Sequence, residues 1–175
     1  VEIAKSFALT AHKGQTRLNR EKTPLATHIE EVVSLVAEFG GSEAEIAAAW
    51  LHDVVEDTPV TLEEIAANFG NEVAMIVDGL TDPPGFNRMH TFERKTAQAR
   101  RVSGESDSVK RVKLADQISN VRSVAVDPPV KWDPKKCIDY ANGAELIAWE
   151  CKDVSGRLFG LFCRAHTAAL RAHGK

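Results

Sequence analysis

The sequence predicts a single all-α domain that covers residues 1–175. Three observations favour this class. Apolar residues recur at spacings of three and four along most of the chain, as the buried face of a helix requires. Two Ser/Thr-x-x-Glu capping boxes mark helix starts, and no segment alternates apolar and polar residues as a half-buried strand does. With 175 residues and 43% hydrophobic side chains, the chain can bury a substantial core.

The first two predicted helices each carry one apolar stripe. A polar loop over residues 13–23 separates them, and Gly40 and Gly41 end the second. The stripe residues are Ile3, Phe7, Ala8 and Ala11 in the first helix, and Ile29, Val32, Val33 and Val36 in the second.

Capping boxes open the next two helices. Ser42-x-x-Glu45 is the first box, and Thr61-x-x-Glu64 is the second. Gly70 follows the second helix at the position where a left-handed residue commonly ends a helix.

Pairs of prolines divide the second half of the chain. They occur at residues 83–84 and 128–129, where a helix cannot continue. Glycines at positions 143, 156 and 160 indicate bends or close packing in the last helical stretch. The helices predicted for this half span residues 72–80, 91–102, 106–125 and 136–171.

Composition narrows the range of partners and compartments. The chain has 22 basic and 25 acidic side chains, so its net charge of −3 gives no support for nucleic-acid binding. No apolar run approaches the roughly 20 residues that cross a bilayer, so no membrane segment is expected. The three cysteines form no C-x-x-C pair and lie among apolar residues, which favours free thiols and a cytoplasmic location.

Residues 52–57, with the sequence HDVVED, are the strongest functional signal. The preceding apolar spacing predicts one continuous helix through this segment, with His52 above Glu56 and Asp53 above Asp57. Like charges so placed repel each other unless a cation neutralises them. The segment therefore predicts a metal site, and the alternative is a solvated acidic helix end.

Two residues elsewhere in the sequence can complete a metal site. His28 opens the second helix, and Asp116 lies within an apolar run where an unpaired carboxylate is costly. The alternative role for His28 is that of a helix-cap histidine, and the alternative for Asp116 is a salt bridge to Lys113. With His52 and Asp53, the set has two imidazoles and two carboxylates, which suits Mn²⁺, Fe²⁺, Co²⁺ or Zn²⁺ better than Ca²⁺. We expect one Mn²⁺ ion.

Such a site predicts metal-assisted hydrolysis of a phosphate ester. A bound divalent ion lowers the pKa of its water and polarises a phosphoryl oxygen. Glu56 and Asp57 are placed to orient or deprotonate that water and to protonate a leaving group. Arg17, in a basic loop before His28, can bind phosphate in bidentate fashion, or it is an ordinary surface arginine.

The same motifs occur, in the same order, in one known family. The arrangement resembles the HD-type hydrolase domain of the RelA/SpoT proteins over residues 3–126. It is most similar to the small single-domain alarmone hydrolases of the metazoan SpoT homologue type. The shared segments are AHKGQTR at 11–17, Thr23-Pro24 before His28, AAWLHDVVEDT at 48–58, Phe69-Gly70, and KLAD at 113–116 leading to Asn120.

The resemblance implies an all-α HD-domain helical bundle that acts as a metal-dependent phosphohydrolase. The implied reaction is Mn²⁺-dependent removal of the 3′-pyrophosphate from guanosine tetraphosphate or pentaphosphate. The expected partner is this nucleotide, bound by a monomer or homodimer. The resemblance assigns His28, His52, Asp53 and Asp116 as metal ligands, Glu56 and Asp57 as the catalytic acidic pair, Arg17, Asn120 and Ser123 as substrate contacts, and His12 as a supporting residue.

Four positions depart from the family pattern. Leu25 replaces a common tyrosine, Ile29 replaces a proline, and Leu18 replaces a basic residue that could contact phosphate. A tyrosine near the nucleotide in the C-terminal helices has no clear counterpart, and Leu146 lies nearest by alignment. These changes leave two alternatives open: an HD phosphohydrolase of another nucleotide, and a non-catalytic alarmone-binding regulatory module.

Overall fold

The computed structural model describes residues 1–174, and its regular structure is helical. The all-α prediction is confirmed, because the extended pairing in this range is limited to two isolated bridges. The single-domain organisation stays a prediction. The helices are α1 (Glu2–Ala11), α2 (Leu25–Glu38), α3 (Glu43–Leu51), α4 (Val54–Asp57), α5 (Leu62–Phe69), α6 (Asn71–Leu80), α7 (Thr91–Ser103), α8 (Asp107–Val126), α9 (Pro134–Glu150) and α10 (Gly156–His173), with 3₁₀ turns at Phe86–Arg88 and Lys152–Val154.

The predicted helix starts follow their capping chemistry. Both capping boxes form completely: Ser42 and Glu45 exchange hydrogen bonds at the start of α3, and Thr61 and Glu64 do so at the start of α5. Each box satisfies backbone donors that the first turn of a helix leaves free. Gly70 follows α5 with φ of 88°, a conformation that favours glycine.

Helix α8 lies at the centre of the fold. It packs against α2, α3, α6, α9 and α10, and its buried residues lie on all sides of the helix. Besides apolar residues it buries Asp116, Gln117 and Ser119. Buried polar groups need hydrogen-bonding partners, so these three side chains mark where α8 passes the candidate site.

The continuous helix predicted through residues 52–57 is wrong. Helix α3 ends at Leu51, α4 begins at Val54, and His52 and Asp53 form a turn between them. The Nδ1–H of His52 donates to the carbonyl of Ala49 at 2.7 Å. In an uninterrupted helix that carbonyl would accept the backbone N–H of Asp53, so the imidazole competes with the helix for it.

Two other sequence expectations need correction. Ile3 is 75% exposed, so the buried face of α1 holds Ala4 in its place, together with Ala8 as the spacing predicted. The stretch 136–171 is two helices, since α9 ends at Glu150 and α10 begins at Gly156 after a 3₁₀ turn.

The composition also led to expectations about membrane-spanning segments and about cysteine pairing. Within residues 1–174, no helix is long and apolar enough to span a bilayer. The three cysteines are free: Cys137 and Cys151 are buried, and Cys163 is exposed.

Candidate metal centre

The structure brings all four predicted metal ligands together. The Nε2 atoms of His28 and His52 lie 3.3 Å apart. An oxygen of Asp53 lies 3.2 Å from His52 Nε2 and 3.8 Å from His28 Nε2. Oδ1 of Asp116 lies 3.4 Å from His28 Nε2 and 4.0 Å from His52 Nε2. The helix-cap alternative for His28 does not describe this geometry, because its ring is buried against the other three residues.

These spacings suit a shared divalent cation. Nitrogen and oxygen ligands lie about 2.0–2.2 Å from a transition-metal ion, so neighbouring ligand atoms around one ion are about 3.0–3.4 Å apart. Three of the observed separations are 3.2, 3.3 and 3.4 Å and lie in that range, whereas the other two are 3.8 and 4.0 Å. Two imidazole nitrogens and two carboxylates form a donor set typical of first-row divalent metals.

Hydrogen bonds on the outer side of each imidazole fix which nitrogen faces the cluster. His52 donates from Nδ1 to the carbonyl of Ala49, so in the neutral ring that a metal requires, the lone pair is on Nε2. His28 Nδ1 lies 2.8 Å from Oγ of Ser119, and that hydroxyl donates its proton to Glu31 at 2.6 Å. Because the hydroxyl proton is already used, His28 Nδ1 is the donor, and its Nε2 is also a free acceptor.

The opposite charges of the cluster shift one another's pKa values. Burial alone would lower the pKa of His52, but the charge of Asp53 outweighs it and raises the pKa to about 9. Burial also opposes ionisation of Asp53 and Asp116, but the facing imidazoles hold the pKa of Asp53 at about 2 and that of Asp116 well below its usual range. Ionised carboxylates and cation-stabilising surroundings are what a metal site needs.

Asp116 is held by several neighbours. Its Oδ1 accepts from Asn120 at 2.5 Å and its Oδ2 accepts from Gln117 at 2.8 Å. The salt bridge proposed as an alternative role is also present, at 3.8 Å from Lys113 Nζ. The ion pair and the cluster therefore coexist, because the two oxygens of Asp116 serve different partners.

The acidic pair Glu56 and Asp57 lies on α4, directly after the turn. Oε1 of Glu56 accepts the backbone N–H of Asp82 at 2.5 Å. Partial removal from water raises the pKa of Glu56 to about 7, although the hydrogen bond from Asp82 opposes this shift. The same cause, followed by the charge of Asp53, raises the pKa of Asp57. Both carboxyl groups reach solvent at the mouth of the site.

A cavity of about 300 Å³ connects the cluster with the predicted substrate residues. Arg17 donates to Oδ1 of Asn120 at 2.8 Å, and both line this cavity with His28, Asp53 and Glu56. A neighbouring cavity of about 770 Å³ shares Glu56 and is bordered by Asp57 and the 83–87 loop. Ser123 instead borders a small side cavity with Arg17 and Asn120.

His12 lies outside the ligand cluster. Its Nδ1 is 2.8 Å from Oε1 of Gln15, and Gln15 donates to the backbone carbonyl of Asp57 at 3.2 Å. This position fits the supporting role that the sequence predicted.

Helix α7 contributes two cations that sequence reasoning missed. Lys95 is 3% exposed, donates to Gln117 at 2.7 Å and lies 4.3 Å from the centre of the Tyr140 ring. Burial lowers the pKa of Lys95 to about 7. Arg94 lines both cavities, and its buried Nε has no hydrogen-bonding partner among the described residues. Gly143 of α9 allows Lys95 of α7 to pack this closely, because a Cβ at position 143 would lie 2.7 Å from the Cβ of Lys95.

A tyrosine of the C-terminal helices lies at the site, although the sequence showed no clear counterpart of the family's tyrosine. Tyr140 of α9 lines the same cavity as Arg17 and Asp116. Leu146, the position nearest by alignment, lies two turns further along α9 and borders a different groove. The sequence signal was present, since Tyr140 is the one tyrosine of the chain, but only the packing of α9 shows where it points.

The helical bundle and its histidine–aspartate cluster define the class of protein. A family model described as HD domain matches residues 4–136, so the class is that of HD-domain proteins. HD-domain hydrolases use a divalent metal, and the cluster of His28, His52 and Asp53 can hold one.

Individual relatives narrow the family. The chain is 38% identical to guanosine-3′,5′-bis(diphosphate) 3′-pyrophosphohydrolase MESH1 of Xenopus tropicalis, over 82% of this chain and 80% of that protein. It is 33% identical to human MESH1 over the same shares. This chain therefore belongs to the MESH1 family, the metazoan SpoT homologues.

A bacterial relative and a solved structure agree with this placement. A probable guanosine-3′,5′-bis(diphosphate) 3′-pyrophosphohydrolase of Synechocystis is 40% identical over 71% of this chain, which corresponds to 17% of that longer protein. A solved structure, described as a metazoan orthologue of SpoT that hydrolyses ppGpp and plays a role in starvation responses, superposes with a TM-score of 0.87. It is 26% identical and the match covers 99% of this chain and 94% of that one.

Proposed function

We propose that this chain is a Mn²⁺-dependent hydrolase that removes the 3′-pyrophosphate of guanosine tetraphosphate or pentaphosphate and leaves GDP or GTP. The observation that carries this proposal is that Glu56 lines the cavity at the cluster, while Asp57 borders the neighbouring cavity that shares Glu56, and cations line both. The activity named for relatives that match 82% of the chain supports the same reaction.

His28, His52, Asp53 and Asp116 would hold the cation. When bound, a divalent ion polarises a phosphoryl oxygen and lowers the pKa of coordinated water. We choose Mn²⁺ because the mixed imidazole and carboxylate donors favour a first-row transition metal, and because the resemblance to the RelA/SpoT hydrolases implies it.

The two acidic side chains divide the proton transfers. Asp57 accepts a proton from the attacking water, whose oxygen forms a bond to the phosphorus attached to the ribose. The bond between that phosphorus and O3′ breaks, and Glu56 donates its proton to O3′. In the metal-free chain, burial raises the pKa of Glu56 to about 7, which favours the protonated form that a general acid requires.

Cations and one aromatic ring recognise the nucleotide. Arg17, Arg94 and Lys95 converge on the cavity from the first loop and from α7, and guanidinium and ammonium groups bind phosphate oxygens strongly. Arg94 and Lys95 take the place of the basic residue that Leu18 removes from the loop. Tyr140 lines the same cavity, where it can contact the base or ribose.

The direct test is release of pyrophosphate from guanosine tetraphosphate by the purified, Mn²⁺-loaded chain. We expect stoichiometric GDP and pyrophosphate, and loss of both after chelation. Absence of product at enzyme concentrations comparable with substrate would overturn the proposal. Metal analysis of the protein as isolated, together with reloading by Mn²⁺, Zn²⁺ and Co²⁺, tests the choice of cation.

A second candidate is hydrolysis of another phosphorylated nucleotide. Leu18 and Leu25, two of the departures from the family pattern, both line the site cavity, so they can alter which base or sugar fits. A substrate panel read out for both phosphate and pyrophosphate separates the candidates. A non-catalytic alarmone-binding module would bind the nucleotide without turnover, and the placement of Glu56 and Asp57 argues against it.

We also propose the domain organisation, oligomeric state and location of this chain. The 175 residues form one HD-type metal-dependent phosphohydrolase domain, which acts as a monomer or homodimer in the cytoplasm. Free cysteines support a reducing compartment. Size-exclusion chromatography with light scattering tests the oligomeric state.

A further inference from the structure

A basic cavity lies apart from the metal centre, where the end of α2 meets the start of α10. It measures about 560 Å³ and shares no lining residue with the cavity at the cluster. Three arginines line it: Arg122 from α8, and Arg157 and Arg164 from α10. Glu38 is the carboxylate among its lining residues. Arg157 and Arg164 form no ion pair within residues 1–174, and the Arg157 guanidinium lies 5.2 Å from the centre of the Phe39 ring, which also lines the cavity.

Arg122 links this basic cavity to the metal centre. Its guanidinium donates to Oε1 of Glu31 at 2.8 Å. The other oxygen of Glu31 accepts the Ser119 hydroxyl at 2.6 Å, and Ser119 accepts the Nδ1–H of His28 at 2.8 Å. Burial raises the pKa of Glu31, but hydrogen bonds from Ser119 and Arg122 outweigh it, so this carboxylate is ionised. A continuous hydrogen-bonded chain therefore runs from the cavity to the ring of a candidate ligand.

We propose that the basic cavity binds a phosphate-type oxyanion, free or carried by a nucleotide, and that Arg122 couples this binding to metal affinity. Guanidinium groups bind tetrahedral oxyanions through paired hydrogen bonds, and three of them converge here. The cavity volume lies within the range of small-molecule sites. This regulatory site goes beyond the proposed hydrolytic function.

The direction of the coupling follows from competition for Arg122. An anion in the cavity draws the guanidinium away from Glu31, which leaves that carboxylate a stronger hydrogen-bond acceptor. Glu31 then polarises Ser119, and Ser119 polarises the N–H of His28, so the ring becomes a better electron donor at Nε2. Anion binding therefore strengthens metal binding, and by linkage the metal strengthens anion binding by the same factor.

Sulfate is the probe for the site itself, because it binds divalent metals weakly. Metal-free protein is titrated with sulfate at constant ionic strength, and the arginine side-chain resonances are followed by NMR. We expect Arg157→Ala and Arg164→Ala each to weaken sulfate binding at least fivefold, with the matched surface variant Arg171→Ala unchanged. Arg17→Ala should also leave this site intact, which separates it from the metal cavity. Equal sulfate affinity in the unmodified chain and all variants would refute the proposed anion site.

Competition identifies the source of the anion. Inorganic phosphate and ADP are each added to the sulfate-loaded, metal-free protein. Displacement by both at similar concentrations supports a site for free phosphate, and displacement by ADP at concentrations at least tenfold lower supports a nucleotide. Failure of both to displace sulfate contradicts the proposal.

The coupling has its own measurement, which does not depend on turnover. Free Mn²⁺ is quantified by electron paramagnetic resonance with and without saturating sulfate. We expect Mn²⁺ affinity to rise about three- to tenfold, within the usual range of allosteric coupling. Glu31→Gln should keep sulfate binding and lose this rise. Unchanged Mn²⁺ affinity in the unmodified protein would refute the coupling, whereas failure of hydrolysis alone would leave it standing.

Discussion

Ser119→Ala should weaken metal binding and lower stability together. The hydroxyl of Ser119 is buried between Nδ1 of His28 and Glu31. Its removal frees the His28 ring to rotate or change tautomer, and loss of such an outer partner typically costs 10–100-fold in metal affinity. That loss corresponds to about 1.4–2.7 kcal/mol.

The stability cost of the same change comes mainly from His28. Its ring is 4% exposed, so the Nδ1–H would lose its acceptor without gaining water, at a cost of about 1–3 kcal/mol. The Glu31 side chain is 35% exposed and can be hydrated again, so it adds little. For a chain of this size, about 2 kcal/mol lowers the Tm by about 4–8 °C.

Two measurements test this prediction. Calorimetric titration of metal-stripped protein gives the Mn²⁺ affinity, and thermal unfolding of the same sample gives the Tm. Ser34→Ala is the matched control, because its exposed hydroxyl donates to the Glu30 carbonyl within α2 and its loss should change stability by less than about 0.5 kcal/mol. If Ser119→Ala behaves like Ser34→Ala in both measurements, the hydrogen-bonded chain does not orient the ligand.

Three further outcomes follow from the site. Glu56→Gln and Asp57→Asn should each abolish turnover while calorimetric Mn²⁺ affinity stays within threefold, and retained turnover in both would contradict their roles. Lys95→Met should raise the KM for guanosine tetraphosphate about tenfold or more, because a charge-assisted phosphate contact is lost, while the exposed Lys136→Met should not. In metal-free protein, burial raises the pKa of Glu56 from 4.5 to about 7, so its stabilising contribution is present below pH 4.5 and is lost as the pH rises through 7. Glu56→Gln should therefore gain Tm over the unmodified chain at pH 8 but not at pH 4, and an equal difference at both values would refute the shift.

Local chemistry explains what the sequence could predict. A capping box lies within four residues, so the starts of α3 and α5 could be predicted from spacing alone. Asp116 could be recognised as a candidate site residue because a carboxylate in an apolar run demands a partner. That expectation needed no knowledge of which helices meet.

Long-range packing explains what the sequence could not predict. Lys95 and Tyr140 meet because α7 packs along α9, and the close approach at Gly143 becomes visible only in three dimensions. The basic side of α7 was evident from its sequence, but a basic helix face is usually solvated. The burial of this basic face at the cavity depends on α9, which begins more than thirty residues after α7 ends.

The turn at His52 and Asp53, where a continuous helix was predicted, points to function more directly than the correct helix predictions do. On a continuous helix, consecutive side chains point about 100° apart, which does not favour placing both His52 and Asp53 against one ion. The turn lets His52 Nε2 and the Asp53 carboxylate approach to 3.2 Å, while the Ala49 carbonyl holds the imidazole tautomer. A strongly helical sequence is thus interrupted at two of the candidate metal ligands. Local preferences commonly yield in this way at functional sites, because tertiary contacts there outweigh local propensity.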